Sequence, residues 1–232
     1  MKLPKTTSTK TQSTIRNPNE FLQIPGTNYI IIEYEPDRTK GFDYETSHER
    51  VLQNGWEIPQ TSLFIPHFLN VVLAYHNKSK LYDSLGNEVT GERLKDLYKH
   101  LTGDYIVTKF SSWLNGKLVP GTGFNGFDLE TVTGLDSNGN LLTKKTPLEE
   151  CLMEDCYINL NPNNFNSQGF PIPKAKSKYV NYNRGKNIYY FYPKKDCVAG
   201  FGSFSFIANL GSWDPYNSSD STGVCYVCKV NA

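Results

Sequence analysis

The chain has no apolar run near the ~20 residues needed to cross a bilayer, so membrane insertion is not expected. Residues 1–19 lack the apolar stretch of a secretory leader. Five cysteines is an odd count for a disulfide framework, and without an export signal the thiols are expected to stay reduced. Charge excess is missing too. A net charge of +1 argues against broad electrostatic attraction to nucleic acid or an anionic membrane. The expected chain is soluble, in a cytoplasm or associated with a virion, with no nucleic-acid partner. No HxH or HExxH spacing occurs among His48, His67, His76 and His100, so neither a metal nor a cofactor is expected.

One absence is local. Residues 196–228 contain no lysine, arginine or glutamate, although the whole chain is 20% charged. Within them, 16 of the 23 residues from 200 to 222 are Ser, Gly, Asn, Tyr, Phe or Trp. That is close to the alphabet of a recognition surface: rings give contact area at low entropic cost, and Ser, Gly and Asn give adaptable hydrogen bonds. The competing reading is a hairpin whose Phe201, Phe204 and Phe206 are core. Phe204 and Phe206 share parity and Phe201 does not, so both faces of that strand carry a ring. Residues 216–222 are small and polar and cannot form a core.

What is present is mostly strand and turn. Aromatics make up 13% of the chain. The 232 residues suffice for a core without disulfides or metals. Residues 1–20 read as a disordered basic tail that solubilises or attaches the protein. Residues 1–19 carry Lys2, Lys5, Lys10 and Arg16 with no acid, leaving the remainder about −3. Strands are expected over 28–35, 127–135, 141–145, 188–193, 198–206 and 223–230, the last two joined by the Ser/Asn-rich segment. A hairpin is expected around Gly86-Asn87, and Gly139 marks another between 127–135 and 141–145. Helices are expected over 46–54 with Ser47 as a cap, over 66–76 with Pro66 in the first turn, over 91–101 with Thr90 as a cap, and over 147–155 with Leu148, Cys151 and Leu152 inward. Residues 159–178 read as a long loop. The fold class is α+β with two or three helices and a small antiparallel sheet.

Several motifs have chemical readings and plainer ones. Gly121, Gly123 and Gly126 match a dinucleotide-binding fingerprint by letter, but a strand-like segment follows where a helix is required, so a glycine-rich turn is expected. Cys225 and Cys228 are three apart on a strand and face opposite sides, which does not suit a metal or redox pair. Cys151 and Cys156 read as core thiols. Glu149, Glu150, Glu154 and Asp155 could host acid–base chemistry but suit a solvated face better. The sequons at Asn77 and Asn217 lack a secretory context.

The end of the chain also carries a pattern. Val198-Ala199 leads to Phe201-Gly-Ser-Phe204, then Ala208, Leu210, Asp214-Pro215 and Gly223-Val-Cys225-Tyr-Val227. This resembles the close of the formylglycine-generating-enzyme type of C-type lectin fold, with Phe-Gly-Ser-Phe where Gly-Gly-Ser-Trp is usual and Gly-Val-Cys where Gly-Phe-Arg is usual. It is similar to the variable proteins of diversity-generating retroelements, in which adenine-directed mutagenesis scatters substitutions over a ligand-binding face. The resemblance implies a single C-type-lectin-like domain over 21–232 without a calcium site, and a variable region at about 198–228. It implies ligand-binding residues Gly200, Gly202, Ser205, Phe206, Asn209, Gly211, Ser212, Trp213, Tyr216, Asn217, Ser219 and Asp220. Trp213 fits least well, since an asparagine codon changed only at its adenines cannot encode it.

The expected function is non-enzymatic binding of a protein or surface glycan by a monomer. Two alternatives stay open: an oxidoreductase of the formylglycine-generating kind using Cys225 and Cys228, and a structural or virion protein using the aromatic face for assembly.

Overall fold

A computed structural model describes residues 20–32, 42–104, 110–204, 207–216 and 227–229. The expected basic tail lies outside them except for Glu20. The β-branched run of the first expected strand forms β2 (Tyr29–Ile32), with Ile30, Ile31 and Ile32 buried. It pairs on one side with β1 (Phe21–Gln23) and on the other with β10 (Val227–Lys229), so the two ends of the described chain meet in one three-stranded antiparallel sheet.

Three helices follow β2. The first, α1 (Tyr44–Gln53), is capped by Asp43, whose Oδ1 accepts from the Thr46 amide at 2.7 Å. Ser47, the expected cap, is buried inside the helix. The next, α2 (Thr61–Tyr75), begins five residues before Pro66. That proline therefore sits in the second turn, not the first. The Gln60 carbonyl accepts from the Leu63 and Phe64 amides, and Phe64 and Ile65 bury fully on the added turn. Burial of apolar side chains outweighs the hydrogen bond that proline cannot donate. The third, α3 (Gly91–Leu101), has Thr90 at its N-cap position in extended backbone but without a side-chain capping hydrogen bond. It buries Leu97, Tyr98 and Leu101 on one face as its spacing predicts, and Gly103 follows its end at φ +75.

The rest of the molecule is built on a seven-stranded sheet. Its strands are β3 (Phe110–Pro120), β4 (Phe127–Leu135), β5 (Leu141–Pro147), β6 (Cys156–Asn159), β7 (Asn187–Tyr190), β8 (Val198–Phe204) and β9 (Ile207–Trp213), in the order β5-β4-β3-β8-β9-β7-β6. The fold is α+β with three helices, but this sheet is larger than expected and is not wholly antiparallel, because β7 and β9 run parallel. The turn between β4 and β5 is held by Asp136, which accepts from the Asn138 and Asn140 amides, with Gly139 at φ +87.

No helix forms over 147–155. Leu148, Cys151 and Leu152 are buried as expected. However, the Leu148 amide donates to Phe127 and the Leu152 amide to Pro171. Tertiary partners take these backbone groups, and a four-residue apolar spacing proves compatible with an extended segment pinned at both ends.

The main core lies where α2 and α3 pack on one face of the sheet. Phe201 of β8 meets Phe64 at 4.7 Å and Phe68 at 5.0 Å between ring centroids, with Phe110 of β3 at 5.9 Å. A second, smaller cluster of Tyr44, Ile58, Trp113 and Val198 lies where α1 packs, on the opposite face.

Candidate ligand-recognition surface

The hairpin β8–β9 occupies the middle of the large sheet. Its register pairs Phe201 with Leu210, Ser203 with Ala208, Gly200 with Gly211, and Gly202 with Asn209. Alternation then separates two sets of residues. Ala199, Phe201, Ala208 and Leu210 join the main core, and the Ser203 hydroxyl donates to the His100 carbonyl. These are frame positions of the C-terminal pattern. Gly200, Gly202, Asn209, Gly211 and Trp213 share the other face.

That second set corrects the expectation of an open surface. Gly200, Gly202 and Gly211 are buried, and Asn209 is 4% exposed. A Cβ on Gly200 would overlap the Trp213 ring, and one on Gly211 would overlap Phe191. Gly200 and Gly211 are a floor on which large rings lie and Gly202 is buried on the same face, so none of the three offers an interchangeable side chain to solvent. Segment 207–213, expected as part of a linker, is instead a central strand. A strand with Gly, Asn and Ser at alternate positions looks like loop by composition, because its bulk comes from neighbours.

The open part begins at the end of β9. Ser212 and Trp213 are half-buried, and the Trp213 ring meets Trp113 edge-on at 5.7 Å. Asp214 then closes a tight turn, its Oδ1 accepting from the Tyr216 amide at 2.9 Å. The Pro215 carbonyl accepts from the Tyr44 amide at 3.0 Å, which ties this corner to the start of α1. Tyr216 stands beyond it at 78% exposure. Ser205, Phe206, Asn217, Ser219 and Asp220 lie outside the described residues. So does Phe204's side chain.

A further set of rings was not legible as a site. Tyr157 of β6 and Tyr189 of β7 sit opposite one another with centroids 5.0 Å apart, and Phe191 follows at 4.9 Å from Tyr189. All three are half-buried, and none belongs to either core cluster. Phe191 lies over Gly211, so the row adjoins the Gly211–Trp213 corner. The alternation of Tyr189 and Phe191 with buried Ile188 and Tyr190 was the available signal.

The other motifs take their plainer readings. The glycine-rich turn wraps an internal carboxylate: Asp128 Oδ1 accepts from the Thr122 and Gly123 amides at 2.9 and 3.0 Å. The anion-binding geometry is thus already filled. The strand β4 follows the turn, not a helix. Cys151, Cys156, Cys197 and Cys228 are free thiols. Burial pushes Cys151 and Cys228 up to about 11 and raises the other two, so none is poised as a thiolate at neutral pH. Cys225 lies outside the described residues. Among the described residues, no group of three His, Cys, Asp or Glu is placed to hold a metal. Burial holds His48 and His67 well below the usual histidine range, at about 3 and about 4. Glu149, Glu154 and Asp155 serve structure: they hold Ser167, Lys176 and the Tyr192 amide respectively. Among the described residues, no helix is long and apolar enough to cross a membrane.

No protein-family model matches the chain, and no curated protein or solved structure matches it.

Proposed function

We propose that this is a non-enzymatic binding protein, a variable protein of the diversity-generating-retroelement kind on a C-type-lectin-like scaffold, whose ligand is a protein or a surface glycan. The observation that carries the reading is the corner at the end of β9. Tyr216 stands in solvent while the backbone behind it is fixed by the Tyr44–Pro215 hydrogen bond and by strand pairing on both sides of β9. An exposed aromatic on a rigid base loses little entropy on binding. The pairing of β10 with β2 supports the scaffold reading, because it closes the domain with its two ends together.

The recognition set is narrower than the C-terminal pattern implies. Ser212, Trp213 and Tyr216 remain candidates, with Ser205, Phe206, Asn217, Ser219 and Asp220 beside them in sequence, while Gly200, Gly202, Asn209 and Gly211 belong to the floor. The test is a comparison of gene copies encoding sister chains. Differences should cluster between 205 and 222 and spare Gly200, Phe201, Ala208, Leu210 and Gly211. Differences spread evenly along the chain would defeat the reading.

A further inference from the structure

The chain-wide charge of +1 hides a local excess. Residues 157–195 carry seven cations and no acid. Two of the seven are spent: Lys176 pairs with Glu154 at 2.6 Å and Arg184 with Asp104 at 2.7 Å. Lys174, Lys178, Lys186, Lys194 and Lys195 are exposed and have no acidic partner among the described residues.

The backbone sets four of these lysines around the row of rings described above. Lys186 immediately precedes β7. Lys194 and Lys195 follow its other end, with the Lys194 ammonium 5.1 Å from the Tyr192 ring. Lys178 borders the outer edge of β6, next to Ser177, whose amide donates to the Tyr157 carbonyl. The β6–β7 pair is thus an aromatic row with unneutralised ammonium groups at both ends and along one edge.

We propose that this row binds an acidic polysaccharide, with sugar rings against Tyr157, Tyr189 and Phe191 and their carboxylate or sulfate groups on the lysines. This rests on the binding reading above and extends its surface from the Gly211–Trp213 corner across β7 and β6. Charge complementarity selects an anionic polymer, since the five unpaired lysines outnumber the two carboxylates that border the segment, Asp155 at the Tyr192 amide and Asp196 beside Lys195. Ring geometry favours sugar over nucleic acid. Successive rings lie at 80° and 70° to each other. A continuous base stack running across all three rings would need them close to parallel, whereas linked sugar units rotate from one to the next. The tyrosine hydroxyls add donors and acceptors for sugar hydroxyls, one end of each ring being apolar and the other wet.

The experiment uses the full chain with labelled oligomers of alginate and heparin, neutral dextran, and the single-stranded oligonucleotide dT20. Binding of alginate or heparin is expected at low salt, weakening about tenfold or more between 50 and 200 mM NaCl as counterion release is lost. The triple variant Lys178→Gln, Lys194→Gln, Lys195→Gln should weaken that binding at least tenfold and flatten its salt dependence. Tyr189→Leu should weaken it with the salt slope kept. All three lysines are exposed, so the triple variant reports on binding even if Tyr189→Leu melts early. Equal affinity for dextran would overturn the acidic preference while leaving the binding reading intact. Tighter binding of dT20 than of either polysaccharide would overturn the choice of sugar. No binding of alginate or heparin at 50 mM salt would overturn the inference outright, and the gene-copy comparison would still judge the binding reading separately.

Discussion

The two faces of the β8–β9 hairpin solve the same packing problem in opposite ways. Toward α2 and α3 the strands supply their own bulk, with Phe201 and Leu210 set among Phe64, Phe68 and Phe110. Toward α1 the strands supply bulk only at one end of the hairpin, where Val198 of β8 and Trp213 of β9 pair, and have glycine or Asn209 beyond it. Gly200, Gly202 and Gly211 leave a flat floor, and the volume comes from rings lying on it, Trp213 over Gly200 and Phe191 over Gly211. Both faces are buried, yet only the first announces itself by hydrophobic residues. A face built from glycine and overlying rings resembles a recognition loop in composition while behaving as core.

The sharpest break of that comparison is Phe201→Ala. The ring is fully buried and touches three other phenylalanines. Removing it should cost about 3–5 kcal/mol in denaturant unfolding, because the lost transfer energy adds to an uncollapsed cavity. A loss under about 1 kcal/mol would mean that the α2 face is not the principal core.

Acid should attack both faces. Each is covered by a helix that carries a buried histidine: His67 on α2 and His48 on α1. Their folded pKa values lie at about 4 and about 3, below the unfolded value. The unfolded state therefore binds more protons below pH ~6.5, and stability present above that pH is lost as pH falls toward 4. For His67 the loss is on the order of 3 kcal/mol. Melting temperature against pH should fall through this window, and His67→Leu should flatten part of the slope. An unchanged slope would show that other groups carry it.

The glycine floor gives a smaller and more diagnostic effect. Gly200→Ser is the kind of change a freely variable position accepts. Here its Cβ overlaps the Trp213 ring, so about 1–3 kcal/mol of overpacking is expected. Indifference to Gly200→Ser would return that position to the variable set.

How much of this was readable beforehand follows from the same contrast. The strand at Ile30–Ile32, the α3 stripe of Leu97, Tyr98 and Leu101, and the Asp136–Gly139 turn were legible because each is determined by its own neighbours in sequence. Strand β9 was not. Its Asn209, Gly211 and Ser212 carry no strand signal, and it exists because β8 and β7 pair with it on both sides. The helix expected over 147–155 failed for the complementary reason. Its local pattern was good, but Pro171 and Phe127 claimed its backbone. Of the candidate site, composition pointed to Tyr216 and Trp213. The Tyr157–Tyr189–Phe191 row was missed, since it unites two strands 32 residues apart in sequence, Tyr157 and Tyr189.

The smallest expected effect on stability belongs to the residue expected to matter most for binding. Tyr216 is 78% exposed, and its side chain is held by none of the hydrogen bonds that fix its backbone. Tyr216→Ser should therefore change unfolding free energy by less than ~0.5 kcal/mol. A corner anchor of this kind typically contributes ≥ ~2 kcal/mol to a complex, so the same substitution should weaken ligand binding by ~30-fold or more. Measured on one preparation, by denaturant melt and by titration with whichever ligand the sister-copy comparison and the polysaccharide panel identify, the two numbers should part company. If stability and affinity fall together, the corner is part of the fold, and the distinction between frame and displayed residue fails at its most exposed point.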